Sequence, residues 1–322
     1  MRSARKVVLA EAADERMIRA ADVLAAQGIA SPILTGNASQ IHSIAASCGV
    51  SLERIEVADP SLNDRDLQRY GELCAQLPRP LKPQIGRRLM RKTLMYSAMK
   101  VRTGEAHAMV AGASVATARV IEAGMMIIGA HPSIETPSSY FLMRLGAAND
   151  ETERFVIFAD CAVNIAPNPQ QLAQIAAATA ASARRILPEK VKIAMLSFSS
   201  KGSARHELID NVTEALEIAR KQDPTLAIDG EFQFDAAYDA RTASIKIKDS
   251  SDVAGAANVF VFPDLNSGNI GYKIAQYIGG AQAIGPILQG FAKPISDLSR
   301  GATAEDIVNT TAVLLATGEG DR

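Results

Sequence analysis

Tryptophan is absent from the 322 residues, and aromatics make up only 5%. A chain so poor in rings offers no stacking platform for single-stranded nucleic acid. Cysteine is scarce: Cys48, Cys74 and Cys161 are far apart and odd in number, which excludes a disulfide framework and indicates a reducing compartment. Four scattered histidines show no H-x-x-x-H or Cys/His spacing, so no metal is expected. Neither charge sign dominates: 34 basic residues face 35 acidic ones, and no global field points to nucleic acid or a membrane surface. Long hydrophobic runs are missing too. The apolar run after the basic start, Val7 to Ala10, is too short for a signal-peptide core or a membrane span. The expected location is therefore the cytoplasm. Neither G-x-G-x-x-G nor G-x-x-x-x-G-K-[ST] occurs, which disfavours a dinucleotide-dependent dehydrogenase.

What is present is alternation. An apolar fraction of 48% suffices for a sizeable core, and the length suits two domains or one large α/β body. Lys6–Ala10 is a β-branched run. Met17, Ile18, Ala21, Val23 and Leu24 then follow a helical period up to Gly28, and Pro32–Thr35 makes a second strand. Strand-like runs recur at Ala108–Val110, Phe155–Phe158, Val191–Ser197, Leu226–Asp229 and Val259–Phe262. Alanine-rich helical stretches lie among them at Gln170–Arg185 and Asn211–Lys221. The pattern predicts an α/β fold with mostly parallel sheets. Leu62–Met99 stands apart as a polar, proline-marked insertion or flexible lobe, and Pro132–Pro137 reads as a hinge.

Several segments could carry chemistry. Near the end, Ser299-Arg300-Gly301 precedes a helix whose first turn holds Glu305 and Asp306. A hydroxyl, a guanidinium and a carboxylate stand there beside backbone N–H groups without intrahelical partners, an arrangement suited to an anionic substrate. The plainer reading is a capping box between Thr303 and Asp306. Ser197–His206 follows a strand. Its Ser199, Ser200, Gly202 and Ser203 could surround a phosphate with donors, or form an ordinary serine-rich turn. Asp264–Lys273, with Asn269, Tyr272 and Lys273, also follows a strand, where α/β ligands bind; its plain reading is turn chemistry with Asn269 as helix cap. Arg87 with Arg91, and Arg88 with Lys92, form an i,i+4 basic stripe on one helix, either solvated or facing a diphosphate. Cys161 reads as inert packing rather than a nucleophile.

Together these stretches resemble the phosphate acyltransferase family over nearly the whole chain. The resemblance runs through Ala12–Arg16, Gly28–Leu34, Met109–Ala113, Phe158–Cys161, Asp229–Ala237, Gly268–Gln276, Gly285–Gly290 and Asp297–Gly301. The Ser197–His206 loop looks most like the ethanolamine-utilisation branch. The resemblance implies transfer of an acyl group, acetyl before propionyl or butyryl, between coenzyme A and inorganic phosphate. In the reverse direction a thiolate attacks the acyl phosphate. A non-catalytic domain that binds coenzyme A or acyl phosphate is the alternative. Two α/β domains are implied, 1–131 plus 283–322 and an inserted 132–282, with the active site in the cleft between them. Coenzyme A is a substrate, no metal or other cofactor is required, and the assembly is a homodimer.

On that resemblance Ser299 relays the thiol proton, Asp306 orients Ser299, and Arg300 holds phosphate or the developing carbonyl charge. Ser199, Ser200, Gly202, Ser203, Asn269, Tyr272, Lys273, Gly301, Arg87 and Arg91 bind coenzyme A or phosphate. The chain also departs from the family. Glu122 and Tyr277 stand where many members carry arginines, and Ala106-His107-Ala108 replaces the usual Ala-Asp-Gly. Either the Arg87–Lys92 stripe or Arg119 would then supply the missing positive charge.

Overall fold

The structure, a computed structural model, describes residues 5–147, 151 and 153–318. Its strands are β1 Lys6–Leu9, β2 Ser31–Thr35, β3 Glu56–Ala58, β4 Ala108–Ala111, β5 Ser138–Leu145, β6 Arg154–Ala159, β7 Ile193–Leu196, β8 Ile228–Phe232, β9 Val259–Val261, β10 Gln282–Gln289 and β11 Ile295–Asp297. The chain forms two compact units: Met1–Pro132 with Phe291–Arg322, and Ser133–Gly290. The second division falls after residue 290 rather than at 283. The reason is that β10 pairs antiparallel with β5 from Gln282↔Arg144 to Gln289↔Ser138 and so belongs with the middle of the chain.

In the first unit the strands run β3-β2-β1-β4-β11, all parallel. Val7, Val8 and Leu9 of β1 are fully buried, as a central strand covered on both faces requires. The helix Glu15–Ala26 begins where the Asp14 side chain accepts from the Arg16 N–H. It buries Met17, Ile18, Ala20, Ala21 and Leu24, one apolar face at helical spacing. Burying each of the larger side chains stabilises the fold by about 1.5–3 kcal/mol, enough to fix the helix regardless of its intrinsic propensity. β11 comes from the C-terminal tail and adds to the far side of β4, with Ile295↔Met109 and Asp297↔Ala111.

The Leu62–Met99 segment is not a loose lobe. It contains the helices Asp64–Leu73 and Pro83–Leu89 and the first part of Thr93–Arg102. The first two pack so closely that a Cβ on Gly71 would lie 2.8 Å from the Pro83 carbonyl, and one on Gly86 2.7 Å from the Cys74 Cβ. The buried rings of Tyr70 and Tyr96 meet edge to face at 5.3 Å. Their hydroxyls donate to Glu105 and Asp66, both at 2.8 Å. Polar composition hid this packing because the apolar contacts come from few residues.

The middle unit has the order β10-β5-β6-β9-β7-β8. β10, β5 and β6 pair antiparallel, while β6, β9, β7 and β8 are parallel. The helix Pro169–Ile186 starts with an Asn168–Gln171 capping box and buries a small-residue face: Ala173, Ala176, Thr179, Ala180 and Ala183. Among the described residues no helix is long and apolar enough to cross a membrane.

Candidate active site

Because β1, β4 and β11 are parallel neighbours, their following loops leave one edge of the first unit's sheet, the edge at which open α/β sheets hold ligands. The Glu11 carboxylate lies under the loop after β4. Gly112, Ala113, Ser114 and Val115 donate their N–H groups to it at 2.5, 2.9, 2.8 and 2.7 Å, and the Ser114 hydroxyl donates at 2.5 Å. A run of N–H groups like this binds anions, and here the chain's own carboxylate fills it. Gly112 has φ +102, and a Cβ there would collide with Asp297 Oδ1. Asp297 is 2% exposed. The Thr117 hydroxyl donates to its Oδ2 at 2.5 Å, while its Oδ1 has no hydrogen-bond partner among the described residues. Burial, aided by the Glu11 charge and opposed by the Thr117 bond, pushes this carboxyl up to about 6.

The Ser299-Arg300-Gly301 turn follows β11 on the same edge. Ser299 is half-buried and its hydroxyl accepts from the Gly301 N–H at 3.4 Å, a long contact. Arg300 and Gly301 are exposed. The Arg300 guanidinium has no ion-pair or hydrogen-bond partner among the described residues, and its carbonyl accepts from Arg16. Asp306 is engaged in the capping box: Thr303 N–H and hydroxyl donate to its Oδ2 at 2.9 and 2.8 Å, and its own N–H donates to Thr303 Oγ1 at 3.1 Å. Among the described residues no hydrogen bond joins Ser299 to Asp306, so the expected relay is not formed. The first turn already carries Glu305 and Asp306. Their charges oppose an added anion, so positive potential at this turn comes from Arg300 rather than from the helix end.

In the middle unit the expected phosphate cradle is also internally occupied. The buried Glu231 carboxylate, at the end of β8, accepts from the Ser199 hydroxyl at 2.8 Å and the Gly202 N–H at 2.9 Å. Ser203 Oγ accepts from the Ser200 N–H at 3.0 Å, and Ser200 Oγ accepts from the Gln233 N–H at 2.9 Å. Lys201 Nζ pairs with Asp229 at 2.6 Å. These hydroxyls build the loop. After β6, Asp160 likewise accepts from the N–H groups of Ala162, Val163 and Asn164 at 3.1, 3.2 and 2.8 Å.

Asp264, not Asn269, caps the helix Leu265–Tyr277, accepting from the Ser267 N–H at 2.8 Å. Asn269 lies inside that helix and donates its amide to the Cys161 carbonyl at 3.1 Å. Tyr272 is a core residue, 5% exposed and stacked on Phe141 at 4.1 Å. Lys273 is exposed.

The basic stripe is broken. The helix Pro83–Leu89 ends before Arg91 and Lys92, which fall in the connection to the helix Thr93–Arg102. Arg87 pairs with Asp64 at 2.8 Å, both exposed, and Arg91 is exposed. Arg119 pairs with Glu122 at 2.8 Å, so its charge is spent on the very acid it was expected to offset. Cys161 is fully buried, and burial with Asp160 beside it pushes its thiol up, away from the thiolate a nucleophile needs. Among the described residues, no three or more His, Cys, Asp or Glu side chains are grouped to hold a metal ion. Glu11, Arg16, Glu231 and Asp297 carry much of this architecture, yet motif reading missed their contacts. The available signal was an acid at or just beyond the end of a buried strand.

Residues 1–315 match the family described as phosphate acetyl/butaryl transferase. The phosphate acetyltransferase of Clostridium acetobutylicum is 41% identical over 311 residues, covering 96% of this chain and 93% of that protein. A phosphotransacetylase from Streptococcus pyogenes superposes with a TM-score of 0.86 at 41% identity, over 98% of this chain and 94% of that one. The EutD phosphotransacetylase from Staphylococcus aureus gives 0.84 at 35% identity, over 97% and 94%. The chain belongs to the phosphate acetyl/butaryl transferase family.

Proposed function

We propose that this chain catalyses acetyl-CoA + phosphate = acetyl phosphate + CoA. In the forward direction a phosphate oxygen attacks the thioester carbonyl carbon, the C–O bond forms, the C–S bond breaks, and the thiolate leaves and takes up a proton. In reverse, the thiolate attacks the acetyl carbon of acetyl phosphate and phosphate leaves. The observation that carries this reading is the exposed Arg300 guanidinium at the carboxyl edge of β11, next to the Ser299 hydroxyl and without a partner among the described residues. The neighbouring anion-binding N–H groups are already closed by Glu11. A free thiol ionises near 8.5, so the reverse attack needs only modest help. One positive charge at about 4 Å is worth about 1 kcal/mol even in water, and more once the substrate excludes solvent. Ser299 offers a hydrogen bond to the sulfur, whose proton is exchanged with solvent at this exposed turn, and Arg300 steadies the phosphate and the developing oxyanion. Asp306 acts through Thr303 by fixing the end of the turn, with Gly301 leaving backbone room for the phosphate.

In the first unit we assign the exposed cation Arg91 to a phosphate of coenzyme A, and Arg87 with it once its exposed pair with Asp64 opens; within the middle unit Lys273 is an exposed cation able to pair with a phosphate. Ser199, Ser200, Gly202 and Ser203 shape the loop after β7, Asn269 ties its helix to the Cys161 carbonyl, and Tyr272 packs in the core. Coenzyme A is a substrate, and no metal or other cofactor takes part. The protein works as a homodimer in the cytoplasm. Two observations support this: the thiols of Cys48, Cys74 and Cys161 are all free, and the helix Leu265–Tyr277 with its C-cap Ile278 exposes Ile270, Ile274, Tyr277 and Ile278. The test is thiol release from acetyl-, propionyl- and butyryl-CoA with and without phosphate. Fastest phosphate-dependent release from acetyl-CoA supports the assignment. A preference for butyryl-CoA would reassign the acyl group, and coenzyme A binding without phosphate-dependent release would sink the reaction.

A further inference from the structure

The Arg16 guanidinium uses its whole donor set within the first unit. Its Nε and Nη2 grip Asp14 at 2.9 and 2.7 Å. Nη2 also donates to the Ala113 carbonyl at 2.9 Å, and Nη1 donates to the carbonyls of Arg300 and Ala302 at 2.8 and 2.6 Å. A guanidinium has five N–H groups in a rigid fork, and these five contacts account for all of them. Asp14 is itself fixed as the cap of the helix Glu15–Ala26, accepting from the Arg16 N–H at 3.0 Å. The pairing holds the Asp14 carboxyl below its ordinary value, so it stays charged and keeps the fork oriented.

Three loops therefore meet at one side chain. They are the loop after β1 through Asp14, the loop after β4 through Ala113, and the turn after β11 through Arg300 and Ala302. Glu11 grips the opposite polarity of the same β4 loop by taking its N–H groups. The Ser299–Ala302 turn has little else to hold it. Its internal bonds are Ala302 N–H to the Ser299 carbonyl at 2.9 Å and the long Gly301 N–H to Ser299 Oγ contact.

We propose that Arg16 is a positioning residue: by holding the Arg300 and Ala302 carbonyls it sets the direction in which the Ser299 hydroxyl and the Arg300 side chain are presented. Arg16 spends its donors on the chain and has none left for a substrate. Its removal should therefore misplace the turn without removing a ligand contact. This role rests on the reading that the Ser299–Arg300 turn carries the acyl transfer.

The test compares wild type with Arg16→Lys and Asp14→Asn. An ammonium has three N–H donors on a point charge and cannot span this set of acceptors. Misplacement of a reacting group by about 1 Å costs about 10²-fold in rate. Arg16→Lys should therefore lower kcat about 10²-fold while KM for acetyl-CoA and for phosphate stays within about threefold. Hydrogen exchange at the amides of residues 299–303 should quicken at least about tenfold, since an unsupported turn opens locally. Asp14→Asn, which keeps a cap but loosens the fork, should show the same pattern more weakly, and it decides the matter if Arg16→Lys does not fold. Full kcat in a folded variant, a rise in KM at constant kcat, or unchanged exchange at 299–303 would each overturn the role. The exchange measurement needs no turnover. A wild type without phosphate-dependent release would therefore defeat the acyl-transfer reading while leaving the clamp itself measurable.

Discussion

Asp297 is the group whose replacement should stabilise the protein. Its carboxyl is 2% exposed, one oxygen has no partner among the described residues, and it is pushed from an ordinary 3.8 up to about 6. Between those two values the folded chain holds a proton that the unfolded chain has released, so stability falls as pH rises through this window. The full difference corresponds to about 3 kcal/mol once the group is ionised, and roughly half of it is regained on going down to about pH 5. Asp297→Asn removes the charge and keeps an oxygen for the Thr117 hydroxyl. The new amide donors must still find room beside Gly112, so the net gain near pH 7.5 should be about 1–2 kcal/mol rather than the full amount. Urea unfolding of wild type and variant at about pH 5 and about pH 7.5 reads this directly. The variant should be the more stable at the higher pH, and the gap should shrink by about 1 kcal/mol at the lower. Carboxyls held below their ordinary values, such as Asp14, Asp59 and Asp229, titrate lower and are common to both proteins, so they cancel in the difference. A gap that does not change with pH would show that Asp297 is not a carboxyl held above its ordinary value.

Glu11→Gln places an amide against at least two N–H donors that now meet a carboxylate oxygen. Losing two charge-assisted bonds costs about 3 kcal/mol, or a fall in melting temperature of roughly 4–5 °C in calorimetry for a chain of 322 residues, and an unchanged melt would show the carboxylate is not the loop's anchor. Arg91→Ala should raise KM for acetyl-CoA several-fold at nearly constant kcat, whereas a loss confined to kcat would remove Arg91 from the binding role. Ile274→Glu places a charge in the exposed Ile270–Ile278 stripe and should halve the mass seen by light scattering; a wild type that is already monomeric contradicts the homodimer. Chelator treatment should leave acetyl transfer unchanged, and a loss restored by a divalent ion would bring a metal into the reaction.

Much of the α/β order was legible because buried strands are short β-branched runs and the helices between them keep one apolar face. The runs at Val7–Leu9, Phe155–Phe158 and Val259–Val261 have that form, and each lies within a strand of the fold. The antiparallel pair β5 and β10 was not legible. Ser138–Leu145 reads as a mixed polar and apolar stretch, and its partner lies more than a hundred residues away, at Gln282–Gln289. At the candidate site, residue types were visible but their commitments were not. Ser199 and Gly202 look like phosphate donors until Glu231, distant in sequence, is found accepting from both. Asp306 is a plausible partner for Ser299 by spacing, yet the same spacing is that of a capping box, and the box is what forms. Arg16 lies in a stretch that carries the family resemblance, but its contacts were not legible, because they reach carbonyls 284 and 286 positions away.

On the proposed function, the Ser299–Arg300 turn transfers acetyl between coenzyme A and phosphate. The direct measurement is phosphate-dependent thiol release from acetyl-CoA by wild type and by Arg300→Gln, with folding of both checked by circular dichroism. Wild type should release coenzyme A only with phosphate present, and the folded variant should lose about 10²–10³-fold in kcat, as when a preorganised oxyanion donor is removed. Equal turnover in the two proteins, or release that ignores phosphate, would contradict the account.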